Sequence, residues 1–115
     1  LNEGNINCMT MDFVRRNGLK SAMEQAVMTA TTDTNGFGLT IDIDAIDPVD
    51  APFVATPVHG GILLDELATE LCEMPMRDKL MGLEVTEYTP RNSDDDEAAC
   101  ELVYKLITAA LPSLV

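Results

Sequence analysis

Two carboxylates one residue apart, Asp42 and Asp44, close an apolar run in the segment Thr40-Ile41-Asp42-Ile43-Asp44-Ala45-Ile46-Asp47-Pro48. In a β-strand alternate side chains share a face, so the pair would stand on one side of the backbone with Cα atoms about 7 Å apart. Anions held that close repel one another unless a proton, a cation or a metal ion intervenes. Hard divalent ions such as manganese or magnesium take carboxylate oxygen, and one carboxylate can bridge two ions about 3.5–4 Å apart. The pair therefore reads first as a metal-binding edge. The competing reading is local: Asp42 caps a loop, Asp44 binds backbone amides, and Asp47-Pro48 opens a turn. An EF-hand loop fails, because Asp47 occupies the position that needs glycine and Phe53 stands where the twelfth-place glutamate belongs.

The elements that would carry these residues follow from periodicity. The pattern predicts a short strand over Asn5–Thr10, a polar turn at Arg15-Arg16-Asn17-Gly18, and a helix whose apolar face is Leu19, Ala22, Met23, Ala26, Val27 and Ala30. Phe37 to Ile43 alternates as a strand, with Leu39, Ile41 and Ile43 opposite Thr40, Asp42 and Asp44. From Asp47 to Gly61, Pro48, Pro52, Pro57, Gly60 and Gly61 forbid regular structure and predict a long, stiff loop. A helix face at Leu64, Leu67, Ala68 and Leu71 ends before Pro75, and Leu80–Thr86 reads as a buried strand. A last helix is predicted over Asp96–Leu111, with Ser93 and Asp96 spaced as a capping box and the acidic run Asp94–Glu97 suited to the positive end of the helix dipole. The order β, α, β, loop, α, β, α is an α/β pattern with about three parallel strands. Ligands of open α/β sheets collect beyond the carboxyl ends of the strands, where Asp42, Asp44 and Asp47 fall.

Composition narrows the partners. A formal net charge of −13 over 115 residues argues against a nucleic-acid or anionic membrane surface and suits a cationic substrate or a metal. Cys8, Cys72 and Cys100 are odd in number and unpaired in spacing, which points to reduced thiols and a cytoplasmic location rather than to disulfides or a zinc-thiolate site. No apolar stretch approaches a bilayer span, and no leader pattern is seen. The chain starts at Leu1 without an initiator Met, as a piece of a larger protein would.

Extending the motif sharpens the reading. Ile41-Asp42-Ile43-Asp44-Ala45-Ile46-Asp47-Pro48, then Ala51-Pro52, Thr56-Pro57-Val58 and Gly60-Gly61, with a second block Gly82-Leu83-Glu84-Val85-Thr86-Glu87-Tyr88-Thr89-Pro90, closely resembles the ureohydrolases, the arginase, agmatinase and formimidoylglutamase family. The resemblance implies a three-layer arginase-like α/β fold with a mainly parallel sheet, of which residues 1–115 would be the C-terminal portion of a single domain. It implies two manganese ions, Asp42 shared between them and Asp44 a ligand of one. It also implies that Glu87 faces the guanidinium of a small cationic substrate, with Thr56 lining the pocket. A carboxylate suits that place, because a planar guanidinium donates paired hydrogen bonds to it and stays charged at neutral pH. Glu84 stands where arginases tend to have Asp, and His59 falls outside the family's metal-binding positions.

The family's Gly-Gly-Asp-His and Asp-x-His-x-Asp segments, which bring further metal ligands, do not occur in this sequence. The expectation is part of a manganese-dependent hydrolase that cleaves a linear guanidino or formimino compound, assembled as a homo-oligomer, with the isolated chain inactive. Two other readings compete. One is a non-catalytic structural or oligomerising fragment. The other is a phosphatase of the haloacid dehalogenase type with Asp42 as nucleophile, disfavoured by Ala45-Ile46-Asp47-Pro48 and by the lack of a glycine-rich phosphate loop.

Overall fold

Thr10, itself extended, starts the first helix: its hydroxyl accepts from the Phe13 amide at 3.3 Å. The computed structural model describes residues 6–111. Helix α1 (Met11–Asn17) has Asp12 in its first turn and Arg15 and Arg16 in its last, each complementing the helix dipole. It ends at Gly18, whose φ of 88° is open to glycine and costly for other residues. The strand expected over Asn5–Thr10 is absent from residues 6–10, Asn5 lying outside the described residues, and the expected turn at 15–18 is the end of α1.

Helix α2 (Leu19–Thr31) buries Leu19, Ala22 and Val27, with Met23 half-buried, while Ala26 and Ala30 of the expected face remain exposed. Strand β1 (Phe37–Asp42) pairs in parallel with β2 (Leu80–Thr86), so the sheet has two strands among the described residues, not three. Thr40 faces Glu84, Ile41 faces Val85 and Asp42 faces Thr86. One irregularity at Phe37/Gly38 leaves Met81 out of register. The apolar side of β1 carries Phe37, Leu39 and Ile41, while Gly38, Thr40 and Asp42 are exposed on the other.

Helix α3 (Leu64–Cys72) and helix α4 (Ser93–Ala110) pack on each other and complete the core. Leu67, Ala68 and Leu71 meet Ala99, Leu102, Leu106, Ala109 and Ala110, with Ile41, Ile43, Ile46 and Phe53 in the same cluster. Each large aliphatic side chain buried there contributes about 1.5–3 kcal/mol. The first amide of α3, Leu64 N–H, donates across the loop to Asp50 at 2.9 Å, a cap supplied from far along the chain. Helix α4 begins three residues before the expected Asp96. Its cap is Asn92 rather than Ser93, the Asn92 side chain accepting from Asp95 N–H at 2.9 Å. Asp94, Asp95 and Asp96 do occupy the first turn, as the dipole argument expects. No helix among the described residues is long and apolar enough to cross a membrane.

Candidate metal centre

Strand β1 stops at Asp42, and the chain coils at once into a single 3-10 turn, Ile43–Ala45. The turn is closed by Asp42 itself, whose Oδ1 accepts from the Asp44 amide at 3.2 Å. Ile43, fully buried, anchors it to the core. The Asp42–Asp44 pair therefore does not stand on one pleated face, as a continuing strand would place it. The turn draws the two side chains together, and Glu87, one residue past the end of β2, joins them. A carboxylate oxygen from each of Asp42, Asp44 and Glu87 lies within 4.8 Å of the others. Register explains the meeting: Asp42 pairs with Thr86, so the residue after Thr86 leaves the sheet beside the end of β1.

Thr56 arrives from the long loop and donates its hydroxyl to Asp44 Oδ2 at 3.1 Å. That loop is fixed from within by buried Ala51, Phe53 and Val54. Asp47 is its hub, not a member of the acidic cluster. Its Oδ1 accepts from Val49 N–H at 3.0 Å, and its Oδ2 accepts from Gly60 N–H at 2.9 Å and Gly61 N–H at 3.2 Å. Gly61 lies so close to the β1 exit that a Cβ there would sit 2.7 Å from the Ala45 carbonyl oxygen. Arg15 of α1 donates to the Gly60 carbonyl at 3.0 Å, tying the loop to the helix before it. His59 is exposed on the same loop and is not part of the carboxylate group.

The electrostatics separate the aspartates. A side-chain hydrogen bond with Asp44 pushes Asp42 above the usual carboxylate range, helped by partial burial and by the charges of Asp44 and Glu87. Asp47 moves the other way, held below its ordinary value by the N–H groups of Val49, Gly60 and Gly61. The cluster is a set of anions that favours a proton or cation among them, whereas Asp47 is already satisfied by backbone. Carboxylate oxygens alone match a hard divalent ion, which prefers about six oxygen ligands, and these three residues could supply part of such a shell. Asp42 and Glu87 are exposed and Asp44 is half-buried, so the group is open to an incoming ion or ligand.

The sequence singled out Asp42 and Asp44, and its family resemblance added Thr56 and Glu87; the structure brings all four side chains near one another. The competing reading of Asp47 as opening a turn holds, since its side chain accepts from Val49 N–H and its carbonyl from Asp50 N–H, whereas its grip on Gly60 and Gly61 and the cap supplied by Asp50 were missed. The signal available was only that both stand among prolines and glycines, where carboxylates commonly bind backbone amides.

The family model of the arginase family matches residues 1–111. The chain belongs to the arginase family. An arginase of Brevibacillus brevis is 36% identical over 81 residues, covering 70% of this chain and 27% of the arginase. The solved arginase of Bacillus caldovelox superposes with a TM-score of 0.76 at 29% identity, covering 95% of this chain and 36% of that one. Formimidoylglutamase of Bacillus subtilis superposes with a TM-score of 0.84 at 23% identity, over 98% of this chain and 35% of that one, a likeness of fold. The chain thus has the arginase-like α/β fold with a parallel sheet and spans roughly a quarter to a third of the arginase-family relatives it matches.

Proposed function

We propose that the carboxylate cluster is one side of a binuclear manganese centre in a ureohydrolase that cleaves a linear guanidino or formimino compound. In this reading Asp42 would be the carboxylate shared between the two ions and Asp44 would hold one of them. Glu87 takes the guanidinium, and Thr56 lines the pocket beside Asp44. The observation that carries it is the convergence of Asp42, Asp44 and Glu87 from two parallel strand ends in a chain of this family.

Divalent ions bound there would supply positive charge to polarise the substrate and to lower the pKa of water. The chain's own residues do the rest. Asp42 and Asp44 present oxygen donors whose mutual repulsion a cation relieves, and the Asp44 amide fixes the rotamer of Asp42 by its hydrogen bond. Thr56 orients Asp44 by donating to Oδ2, which leaves Asp44 Oδ1 free of that bond. Glu87 offers two oxygens to the paired N–H groups of a guanidinium, which aligns the carbon to be attacked. Further ligands and pocket walls come from the larger part of the fold that the relatives have and this chain does not span.

The test is a chimera in which this chain replaces the matching segment of the Bacillus caldovelox arginase. Manganese-dependent urea release from arginine is expected, falling by more than about 100-fold in Asp42→Asn, beyond the cost of losing an outer partner of a ligand. The 115-residue chain alone should release no urea above a metal-only control. A folded chimera whose activity is indifferent to Asp42→Asn and Asp44→Asn would sink the assignment.

A further inference from the structure

Strand β2 delivers Glu87 to the cluster, yet the pairing that fixes β2 ends at Thr86. The φ of Glu87 is 64°, a left-handed conformation that a glutamate keeps only where its surroundings impose it. The next residue supplies a constraint. The Tyr88 hydroxyl donates to the side-chain carboxylate of Asp96 in the first turn of α4 and lies 3.5 Å from the Asp96 carbonyl oxygen. Cys100, one turn further along α4, has its sulfur 3.1 Å from the same hydroxyl oxygen. Across that second contact either the hydroxyl or the thiol can donate, and the thiol also reaches Asp96 Oδ1 at 4.0 Å. Asp96 foremost, with Cys100 second, pushes Tyr88 above the phenolic range, as a hydroxyl committed as donor to an anion must be.

The remainder of the loop is tied to the same turn. The Arg91 amide and Nε donate to Asp95 at 3.2 Å and 2.8 Å, and Asn92 caps the helix. Consecutive Cα atoms are only about 3.8 Å apart, so fixing Tyr88 fixes the carbonyl end of Glu87. We propose that Tyr88, acting through Asp96, is a positioning residue that holds the strained Glu87 at the carboxylate cluster. The tie itself stands on geometry; what Glu87 meets there rests on the proposed metal and guanidinium reading. The acidic run Asp94–Glu97 then has a division of labour: Asp95 takes Arg91, and Asp96 takes Tyr88.

The experiment is NMR on the isotopically labelled chain, first free of metal and then with substoichiometric Mn2+. Without metal, the wild type should show the strong intraresidue amide-to-Hα contact of a positive φ at Glu87. Tyr88→Phe and Asp96→Ala should lose it, while Asp96→Asn, whose amide oxygen still accepts the hydroxyl, should keep it. With Mn2+, resonances of Asp42, Asp44 and Glu87 should broaden together. In Tyr88→Phe, broadening at Glu87 should fall severalfold while that at Asp42 and Asp44 is unchanged, a pattern that general loosening would not give. Retention of the Glu87 contact in Tyr88→Phe overturns the tether. Absence of broadening at Asp42 and Asp44 in the wild type counts against the metal reading alone, and the metal-free contact then decides for or against the tether. If Tyr88→Phe fails to fold, the Asp96→Asn and Asp96→Ala pair decides in its place.

Discussion

The chain leaves β1 and β2 by two exits that bring carboxylates to one place by different physical means. The exit after β1 is anchored from inside: Ile43, Ile46, Ala51, Phe53 and Val54 are buried, and Asp47 collects three backbone amides that stitch its loop shut. The exit after β2 buries little. Between Thr86 and Asn92 it is held to α4 by Tyr88 and Arg91, side chains that remain exposed, and it contains a left-handed Glu87. Burial resists displacement at a cost of several kcal/mol, whereas exposed polar ties are each worth a fraction of that. The two aspartates read as ion ligands thus sit on the stiff exit, and the glutamate read as the guanidinium partner sits on the compliant one.

That contrast is broken most severely at Ile43. Ile43→Ala removes a fully buried side chain at the pivot between β1 and the 3-10 turn, and should lower stability by about 2–5 kcal/mol in denaturant titrations. Gly61→Ala comes next. Its Cβ would meet backbone at 2.7 Å and 2.8 Å, from Ala45 and Asp47, so main chain must move, at about 1–3 kcal/mol by the same titration. Asn92→Ala, on the compliant side, removes the cap of α4 and should cost only about 1 kcal/mol. Equal losses at Ile43 and Asn92 would erase the distinction between the exits.

The smallest effect concerns pH. Because the folded state holds Asp47 below its ordinary value, the ionised form is favoured by folding. The stability it contributes is complete above the unfolded carboxylate value and is lost as pH falls through the lower folded one. Asp47→Asn should therefore flatten the acid limb of the stability curve. Asp42 has the opposite sign: with its folded value raised, its contribution is present below the unfolded value and lost as pH rises. Asp42→Asn should relieve repulsion in the metal-free chain at neutral pH, by no more than about 1 kcal/mol for a group so open to solvent. Thermal melts across acidic to neutral pH check both signs.

Much of the fold was legible because alternation and helix spacing were strong. The bounds of the Leu80–Thr86 strand and the helix stopping before Pro75 were read with little or no error, but the strand is not the buried one expected: none of its residues is buried, and Met81, Gly82 and Glu84 are exposed. The first helix was not, although Thr10 and Gly18 carried its start and stop signals. A helix this short buries no residue fully, so its apolar spacing was too weak to outweigh the polar look of Arg15-Arg16-Asn17. The cap of α4 slipped by one because Asn92 and Ser93 are both good caps, and only the observed amide partner separates them. Of the carboxylate cluster, the residue identities were legible and the geometry was not, since strand periodicity put Asp42 and Asp44 on a pleat that ends at Asp42.

What the sequence by itself determined was the chemistry on offer: carboxylates at strand ends, a threonine in a proline-rich loop, a net negative charge and a family signature. The resemblance had named Asp42, Asp44 and Glu87 together; what only the tertiary structure decided was how their oxygens meet. Asp47 stands three residues from Asp44, yet it turns to loop amides, while Glu87, forty-odd residues away, completes the cluster. The reason is that parallel pairing sets Thr86 beside Asp42, and the side-chain hydrogen bond of Asp42 to its own turn ends the strand there. Such partners are chosen by register and by local coiling, neither of which a residue type or a spacing encodes.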